Sequence, residues 1–514
     1  MPRTHEPDRI RLQEALRASM AVNPKKLRPY DEPPRRGRRL IPDGPDSAAT
    51  GFLTVSLLWL LVATGIGAFW ALQVLFPDQL SVRMDAPVPM LGSVPVEVSP
   101  ATAFAGFRDA TVFGWLSNAG FAAILFVTPR LLGVRLEGAP VAFAGLAAWN
   151  LAVVGLVAID YLPSAAQPGA LAILSLLNDG LLLLGALAVN AAFWRLLLTA
   201  RRGLPYISVW YFGIGLLGLL GAYTLGAAAA AGAQFISLSP TAVALVDAFV
   251  ARAIEAVWLL GVALGALHYV IPRVTGNALY SGPLAIVAWV LWLGFGGLSA
   301  LAVLVDPSVP FVVTSLGRTG LVLMVAPVFL SVANLALSIH GRWTLALSPG
   351  SLAYALVALA FLMATTVLEA VGALGSVQAH LRDTEWPIGV WTFAALGAFT
   401  FALFALIDHA EPRLLRRAWG GSFLTDAQLW TMLAGTAIAG LALMAGGLAH
   451  GSLLVEGTPP DQLGPNLVVF RMVAAAGLGL TTLGALSALV GLFLIYTTAP
   501  RAEFSVGPVP AAAH

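Results

Sequence analysis

Long apolar segments separated by short polar loops recur along this chain from about residue 51 to residue 497. Each segment has roughly the 20 residues that an α-helix needs to cross the hydrocarbon core of a bilayer. Because apolar and polar residues do not alternate within the segments, the pattern excludes a membrane β-barrel. It predicts an all-α polytopic membrane protein. Its twelve transmembrane helices have the approximate limits 51–75, 105–128, 140–161, 170–199, 207–232, 241–271, 281–305, 312–340, 350–375, 388–410, 427–449 and 467–497.

The composition supports a membrane protein and excludes several kinds of site. Hydrophobic residues make up 58% of the chain and charged residues only 11%, a balance that soluble globular proteins do not tolerate. The net charge is +2, and the basic residues gather near the N-terminus and in short loops, so we expect no nucleic-acid partner. The chain has no Cys, which excludes disulfides, thiolate metal ligands and iron–sulfur clusters.

The arrangement of basic residues predicts the orientation of the chain. Alternate loops are poor in basic residues and rich in Pro, Asp and Ser, so the positive-inside rule places both termini in the cytoplasm. We divide the chain into a basic cytoplasmic extension (residues 1–50), the membrane domain (51–497) and a cytoplasmic tail (498–514). The segment RIRLQEALRASM is compatible with an amphipathic surface helix, but a simple tail is the favoured interpretation. The basic residues of the cytoplasmic loops are Arg130, Arg135, Arg201, Arg202, Arg273, Arg342, Arg413, Arg416 and Arg417.

Ionisable residues within the apolar segments are the candidates for a functional site. Charged side chains at membrane depth are costly, and they usually mark either a functional site or an internal ion pair. Arg252 and Glu255 are three residues apart on the sixth segment, so they share one face of a helix and can pair. The predicted buried polar cluster consists of Asp247, Arg252, Glu255, Arg318 and Glu369. Further buried or interfacial candidates are Arg471 and Asp408.

Four stretches of the chain resemble one known family. The stretch HYVIPRVTGNALYSGPLAIV (268–287) combines a helix end, a Pro-basic turn and a Tyr-Ser helix start, and SLGRTGLVLMVAPVFLSVANLALSIHGRW (315–343) follows it. Two others are DATVFGW (109–115) and the succession of TEWPIG (384–389), AALG (394–397) and EPRLLRRAW (411–419). Taken in their order along the chain, the four stretches resemble the catalytic subunit, subunit I, of cbb-type haem–copper oxidases and nitric oxide reductases. The resemblance covers roughly residues 50 to 420 and implies a twelve-helix subunit I-like bundle.

The resemblance also implies positions for metal ligands, and the residues there differ from those of the family. The family binds two haems and a copper ion through six His, because neutral imidazole suits these metals. The family's active-site tyrosine would lie near Gly296, so this position also differs from the family. The ligand positions are occupied instead by Phe107, Arg252, Ala302, Val303, Val390 and Thr392.

The remaining His do not form an alternative ligand set. Two lie in the tails, and the others lie near the ends of predicted helices, where a surface or interfacial role is typical. We therefore expect neither haem nor copper to be bound, although both are expected for the family. The seven His are His5, His268, His340, His380, His409, His450 and His514.

Three functional hypotheses follow from these observations. The favoured one is a haem-free, catalytically inactive subunit I-like component of a respiratory complex in a bacterial cytoplasmic membrane. It would act as a scaffold or accessory subunit beside other respiratory subunits or a cytochrome c-type protein. The second is a divergent active terminal oxidase whose ligands lie in another register. The third is a proton or small-anion transporter that uses Arg252 and Glu255.

Overall fold

The computed structural model describes residues 46–88, 92–136, 139–162, 170–200, 204–348, 350–417 and 422–500. Within these ranges twelve helices are long and apolar enough to cross a membrane, which confirms the predicted fold class. The segment RIRLQEALRASM and most of both predicted tails lie outside the described residues. The helices are α1 (Ser47–Leu75), α2 (Pro100–Leu132), α3 (Ala139–Ile159), α4 (Ala170–Ala200), α5 (Ile207–Phe235), α6 (Pro240–Thr275), α7 (Gly282–Val303), α8 (Phe311–Ser338), α9 (Ser351–Gly372), α10 (Trp386–Leu415), α11 (Ser422–Val455) and α12 (Pro460–Thr498).

The loop between α1 and α2 contains an antiparallel hairpin that the polar composition of this loop did not predict. Strand β1 (Val82–Val88) pairs with β2 (Gly92–Val98), and Arg83 lies directly opposite Glu97. The backbone N–H of Glu97 donates a 2.8 Å hydrogen bond to the Tyr161 carbonyl, which ties the hairpin to the end of α3. A short helical segment, Pro77–Leu80, precedes the hairpin in the same loop, and two others, Trp343–Leu347 and Gly375–Leu381, lie in later loops.

Three helices, α2, α6 and α10, form the centre of the bundle. The most apolar stretch of each is almost entirely buried, whereas the corresponding stretches of the other nine spanning helices expose a substantial apolar face. Each central helix also contains one π-helical segment: Ala110–Leu116 in α2, Ile254–Leu259 in α6 and Phe393–Phe399 in α10. Such wide turns are rare and occur often at functional sites. A functional site is therefore expected at the depth of these turns.

The wide turns are supported by side chains from neighbouring helices. A π turn displaces the usual backbone pairing, and buried carbonyls need another donor. The Trp149 indole N–H donates a 2.9 Å hydrogen bond to the Phe113 carbonyl in α2. The Trp292 indole N–H donates a 2.9 Å bond to the Ala256 carbonyl in α6. Since both indoles are fully buried, these bonds hold α3 and α7 in fixed positions against the central helices.

Two of the stretches that carry the family resemblance bind each other directly. The Asn334 side chain on α8 accepts a hydrogen bond from the Ser281 N–H (2.9 Å) and donates one to the Ser281 carbonyl (3.0 Å). The Ser338 hydroxyl accepts a 2.9 Å bond from the Tyr280 N–H. The Ser281 hydroxyl in turn accepts from the Leu284 N–H and caps α7. The end of α8 thus determines where α7 begins.

The basic residues of several loops lie together at one end of the bundle. Arg130, Arg273 and Arg413 all act electrostatically on Tyr269 and His409, so the ends of α2, α6 and α10 that carry them are neighbours. We call this the basic end. The positive-inside rule requires such a grouping of basic loops at one end. The cytoplasmic location of this end stays a prediction.

The contact between α8 and the end of α7 gives the first testable prediction. A Cβ added at Gly317 would lie 2.1 Å from the Ala302 backbone nitrogen and 2.3 Å from the Leu301 carbonyl carbon. Because backbone atoms cannot rotate away, we expect Gly317→Ala to reduce the free energy of unfolding by roughly 1–3 kcal/mol or more. Thermal unfolding in detergent, followed by Trp fluorescence, measures this loss.

The matched control is Gly297→Ala on α7, where an added Cβ meets no atom within 4 Å. Replacement of a helical Gly by Ala at an unobstructed position is neutral or slightly stabilising. Equal melting temperatures for the two variants would contradict the close approach of α7 and α8.

Candidate functional site

A cavity of about 510 Å³ lies at the end of the bundle opposite the basic end. Its walls come from α2, α6, α7, α8, α9 and α10. Three of these helices, α6, α7 and α10, contribute lining residues at positions that the family resemblance assigns to metal ligands. It extends from Arg252 in the membrane domain to Val305, Gln378 and Arg382, which belong to loops between spanning helices. The cavity is therefore the candidate site, and the loops form its rim.

An ion-pair network closes the floor of the cavity. The Arg252 guanidinium donates two parallel hydrogen bonds to the Glu369 carboxylate, from Nη1 to Oε1 (2.7 Å) and from Nη2 to Oε2 (2.6 Å). Its Nη1 also lies 3.2 Å from Glu255 Oε2. The side chains of Arg252, Glu255 and Glu369 retain only 16%, 17% and 21% of their exposed surface. Two carboxylates thus share one guanidinium, and the bidentate geometry fixes its orientation.

The positions of these three residues follow from the helices that carry them. Arg252 ends the regular part of α6, and Glu255 lies in the π-helical segment that follows. Glu369 lies near the end of α9, one turn before Gly372, and faces α6. The pairing of Arg252 with Glu255 was readable from their spacing, whereas the stronger pairing with Glu369 requires the packing of α9.

The other two members of the predicted cluster differ from each other. Arg318 on α8 lines the same cavity, and its Nε atom is buried without a hydrogen-bond partner among the described residues. Asp247 is exposed and does not line the cavity. The structure thus brings Arg252, Glu255 and Glu369 into contact, places Arg318 beside them and leaves Asp247 outside.

The positions that the resemblance assigns to metal ligands lie in or next to this cavity. Ala302, Val303 and Val390 line it. Phe107 is fully buried in an aromatic cluster, with its ring centroid 5.3 Å from that of Trp391. The Thr392 hydroxyl donates a 2.8 Å hydrogen bond to the carbonyl one turn earlier in its own helix. Gly296, at the tyrosine position, packs close to the Ala256 carbonyl.

The chemistry of the lining does not fit haem iron or copper. The described residues around the cavity offer guanidinium, carboxylate, amide, indole and alkyl groups, and none of them is an imidazole. A guanidinium keeps its proton and has no lone pair to donate to a metal. The two carboxylates, Glu255 and Glu369, are both engaged by Arg252.

The five described His lie away from the cavity lining. His268 and His409 are buried near the basic end, where His268 stacks on Tyr211 with 5.2 Å between ring centroids. His340 and His380 are exposed, and His450 lies against Glu385. His5 and His514 lie outside the described residues.

Several lining residues were not singled out from the sequence. Arg108, Phe104, Trp386, Trp391 and Arg382 all contact the cavity. Arg108 could have been identified from the sequence, because it is a charged residue on an apolar helix and such residues face protein interiors or cavities. The sequence does not identify Trp386 and Trp391 as lining residues, since an indole in a membrane helix is equally typical of a lipid interface.

Asp160, directly after α3, lies close enough to Arg108 and Asp109 to interact with both charges. Burial raises the pKa of the Asp160 carboxyl to about 8, and repulsion by Asp109 adds to that effect while Arg108 opposes it. Asp160 is therefore protonated at neutral pH. Asp109, at 3.0 Å from the Arg108 Nε atom, is the direct ion-pair partner of Arg108.

A second ion-pair cluster lies beside the rim, at the start of α10. Glu385 contacts Arg471 Nη2 on α12 (2.7 Å) and His450 Nδ1 on α11 (2.8 Å). Burial acts to raise the pKa of the Glu385 carboxyl, but the hydrogen bonds from Arg471 and His450 outweigh it, and the pKa is lowered. This cluster joins three spanning helices at one carboxylate. Arg471 was recognised in the sequence, whereas its partner was not.

Comparisons with known proteins agree with this geometry. Residues 47–480 match the family model described as cytochrome c and quinol oxidase polypeptide I. The chain is 23% identical over 411 residues to the cbb3-type cytochrome c oxidase subunit CcoN1 of Stutzerimonas stutzeri, a match that covers 78% of this chain and 82% of that protein. A haem–copper terminal oxidase dimer solved by cryo-EM is similar at a TM-score of 0.71 and 16% identity, over 90% of this chain and 87% of that chain. At that identity the structural likeness shows the fold alone.

Removal of Arg252 provides a test of the floor network. Arg252→Met leaves the Glu255 and Glu369 carboxylates close together without a cation. We expect a loss of about 3–5 kcal/mol in unfolding free energy, the usual cost of leaving a buried charge uncompensated. Thermal unfolding in detergent measures it.

The triple variant Arg252→Met, Glu255→Gln, Glu369→Gln serves as the matched comparison, since it removes both stranded charges together with the cation. It should recover most of the lost stability. Arg382→Gln, at a side chain that is 54% exposed, should stay within about 0.5 kcal/mol of the parent protein. A single variant Arg252→Met as stable as the parent would refute a structural role for the network.

The Glu385 cluster predicts a specific response to acid. A carboxyl whose pKa is lowered by folding contributes stability that is present above its unfolded pKa of about 4.3 and is lost as the pH falls through the folded pKa. We therefore expect the melting temperature of the parent protein to fall more between about pH 6 and pH 3 than that of Glu385→Gln.

Asp383→Asn is the control, because the Asp383 side chain is 87% exposed and lies two residues away. Its acid response should follow that of the parent protein. Parallel pH profiles for the parent and Glu385→Gln would show that the cluster contributes nothing to acid sensitivity.

Proposed function

Because this chain belongs to the cytochrome c and quinol oxidase polypeptide I family, we propose that it is a haem-free, catalytically inactive subunit of a respiratory membrane complex. The single observation that carries the proposal is Arg252, which holds two carboxylates at the position where the family resemblance places a copper ligand. A permanently protonated guanidinium there supplies positive charge in place of a metal. The bundle then serves as a scaffold or accessory subunit.

The proposal is also supported by the packing around Phe107, another position that the resemblance assigns to a metal ligand. Its ring lies among Trp70, Phe104 and Trp391, with centroid separations of 5.3–6.4 Å. A Cβ added at Gly67 would lie 2.7 Å from the Phe107 ring, so α1 also packs tightly here. Aromatic side chains thus occupy the space next to the ligand position. A haem at this place would have to displace a well-packed apolar cluster, which is costly.

The proposed partners follow from the relatives. One relative is described as a subunit of a cytochrome c oxidase, and a structural neighbour is a terminal oxidase dimer. We therefore propose that this chain assembles with other respiratory subunits or receives a cytochrome c-type protein, in a bacterial cytoplasmic membrane with both termini inside. The divergent-oxidase hypothesis would need six imidazoles that the described lining does not provide. The transport hypothesis would need a path from the cavity to the basic end, past the buried α10 side chains Phe401 and Phe404.

An absorbance spectrum tests the proposal directly. Full-length protein purified from a haem-supplemented host should show no Soret band in stoichiometric amount and no reduced-minus-oxidised haem difference spectrum. Its iron and copper, measured by mass spectrometry, should lie far below one atom per chain. These outcomes are expected because no described side chain near the cavity has an imidazole lone pair to offer.

A cbb-type subunit that possesses the His ligands, expressed in the same host, is the control for haem supply. If the control acquires haem and this chain acquires an equal amount, the proposal is wrong and the divergent-oxidase hypothesis takes its place.

A further inference from the structure

The cavity carries an excess of positive charge. Its lining includes four guanidinium groups, Arg108, Arg252, Arg318 and Arg382, and two carboxylates. Both carboxylates are bonded to Arg252 at the floor. Arg108 is paired with its neighbour Asp109, and Arg382 lies 3.9 Å from an Asp383 side chain that is largely in solvent. The excess charge is therefore concentrated at Arg318 and near the rim.

Arg318 is the least satisfied of these cations. Its Nε–H group is buried and has no acceptor among the described residues, and Arg318 forms no ion pair with any of them. Leaving a buried donor without an acceptor is costly, and the cost is greater for a charged group. An anionic group in the cavity would supply the missing acceptor, and a planar guanidinium suits a carboxylate or phosphate.

The remaining walls of the cavity are apolar. Beyond the cations they consist of alkyl and aromatic side chains, chiefly Phe104, Leu321, Leu368, Trp386, Ile388 and Trp391. The volume of about 510 Å³ lies within the range of small-molecule sites, which combine apolar walls with a few polar anchors. A small inorganic anion would satisfy Arg318 but leave these walls without a partner. A ligand that satisfies both has an anionic head and an apolar body.

We propose that the cavity binds a single-chain anionic amphiphile. Its head group lies on Arg318, with Arg108 and Arg382 contributing long-range attraction, and its chain lies against Trp386 and Trp391. The proposal rests on the proposed function, since a haem in the same cavity would exclude the amphiphile. The proposed function and the amphiphile proposal can be contradicted separately. A Soret band would contradict the proposed function, whereas quenching of Trp fluorescence by a brominated fatty acid tests amphiphile binding.

Quenching of Trp fluorescence by dibrominated stearate tests the proposal, because bromine quenches indoles that it contacts and Trp386 and Trp391 line the cavity. Full-length protein in detergent micelles should show a saturable quenching component. That component should disappear in the double variant Trp386→Phe, Trp391→Phe. The methyl ester of the same acid, which lacks the charge, should not produce it.

The role of Arg318 is tested with Arg318→Gln, which should raise the half-saturation concentration at least about tenfold, as expected for loss of hydrogen bonds to a charged group. Arg342→Gln is the matched control, because Arg342 is exposed and lies outside the cavity. Competition by a single-chain phosphate monoester, and no competition by inorganic phosphate, would show that any anionic head suffices and that the chain is required.

Three results would overturn the inference. One is equal quenching by the acid and its methyl ester in the unaltered protein, a comparison that depends on no variant. Another is displacement of the stearate by inorganic phosphate alone. The third is quenching by stearate that survives the loss of Trp386 and Trp391, which would place the probe elsewhere.

Discussion

The ion pair between Arg252 and the two carboxylates Glu255 and Glu369 is the constraint on which the centre of this bundle depends. A single charge at this depth would be strongly disfavoured, and one guanidinium with one carboxylate would still leave donors unsatisfied. Two carboxylates, one bound through both oxygens, satisfy the guanidinium and hold α6 against α9. Because both acids come from fixed helices, the positions of these helices and the charge of the cavity floor are determined together.

The cavity above this floor lies beside the positions that the family resemblance assigns to metal ligands, but its described lining has a different chemistry. The helices and the ligand positions Ala302, Val303 and Val390 surround it as the family resemblance implies. Wide turns occur in α2, α6 and α10, and Trp149 and Trp292 support those of α2 and α6. The described lining, however, presents guanidinium groups and indoles and no imidazole. Such a site favours the binding of an anion with an apolar body over electron transfer.

Much of the fold was predictable because membrane helices are specified locally, by their length and apolar character. The twelve segments agreed with the structure to within a few residues at most ends. The contact between Asn334 and Ser281 came from the structure alone. The hairpin Val82–Val98 was missed, since its residues alternate weakly and include Pro. Of the predicted polar cluster, Arg252, Glu255, Arg318 and Glu369 were found around one cavity. Asp247 was not, because spacing along one helix does not reveal which face meets the interior.

By itself, the sequence determined that this chain is a twelve-helix membrane protein of subunit I type and that charged residues lie within its helices. Only the tertiary structure decided which charges meet, because α9 contributes Glu369 from 117 residues away along the chain. It also decided that α2, α6 and α10 are central and that Trp386 and Trp391 line a cavity rather than the lipid. The physical reason is that nearly every spanning helix is apolar on all sides. Hydropathy therefore separates membrane from water but does not separate the protein interior from lipid.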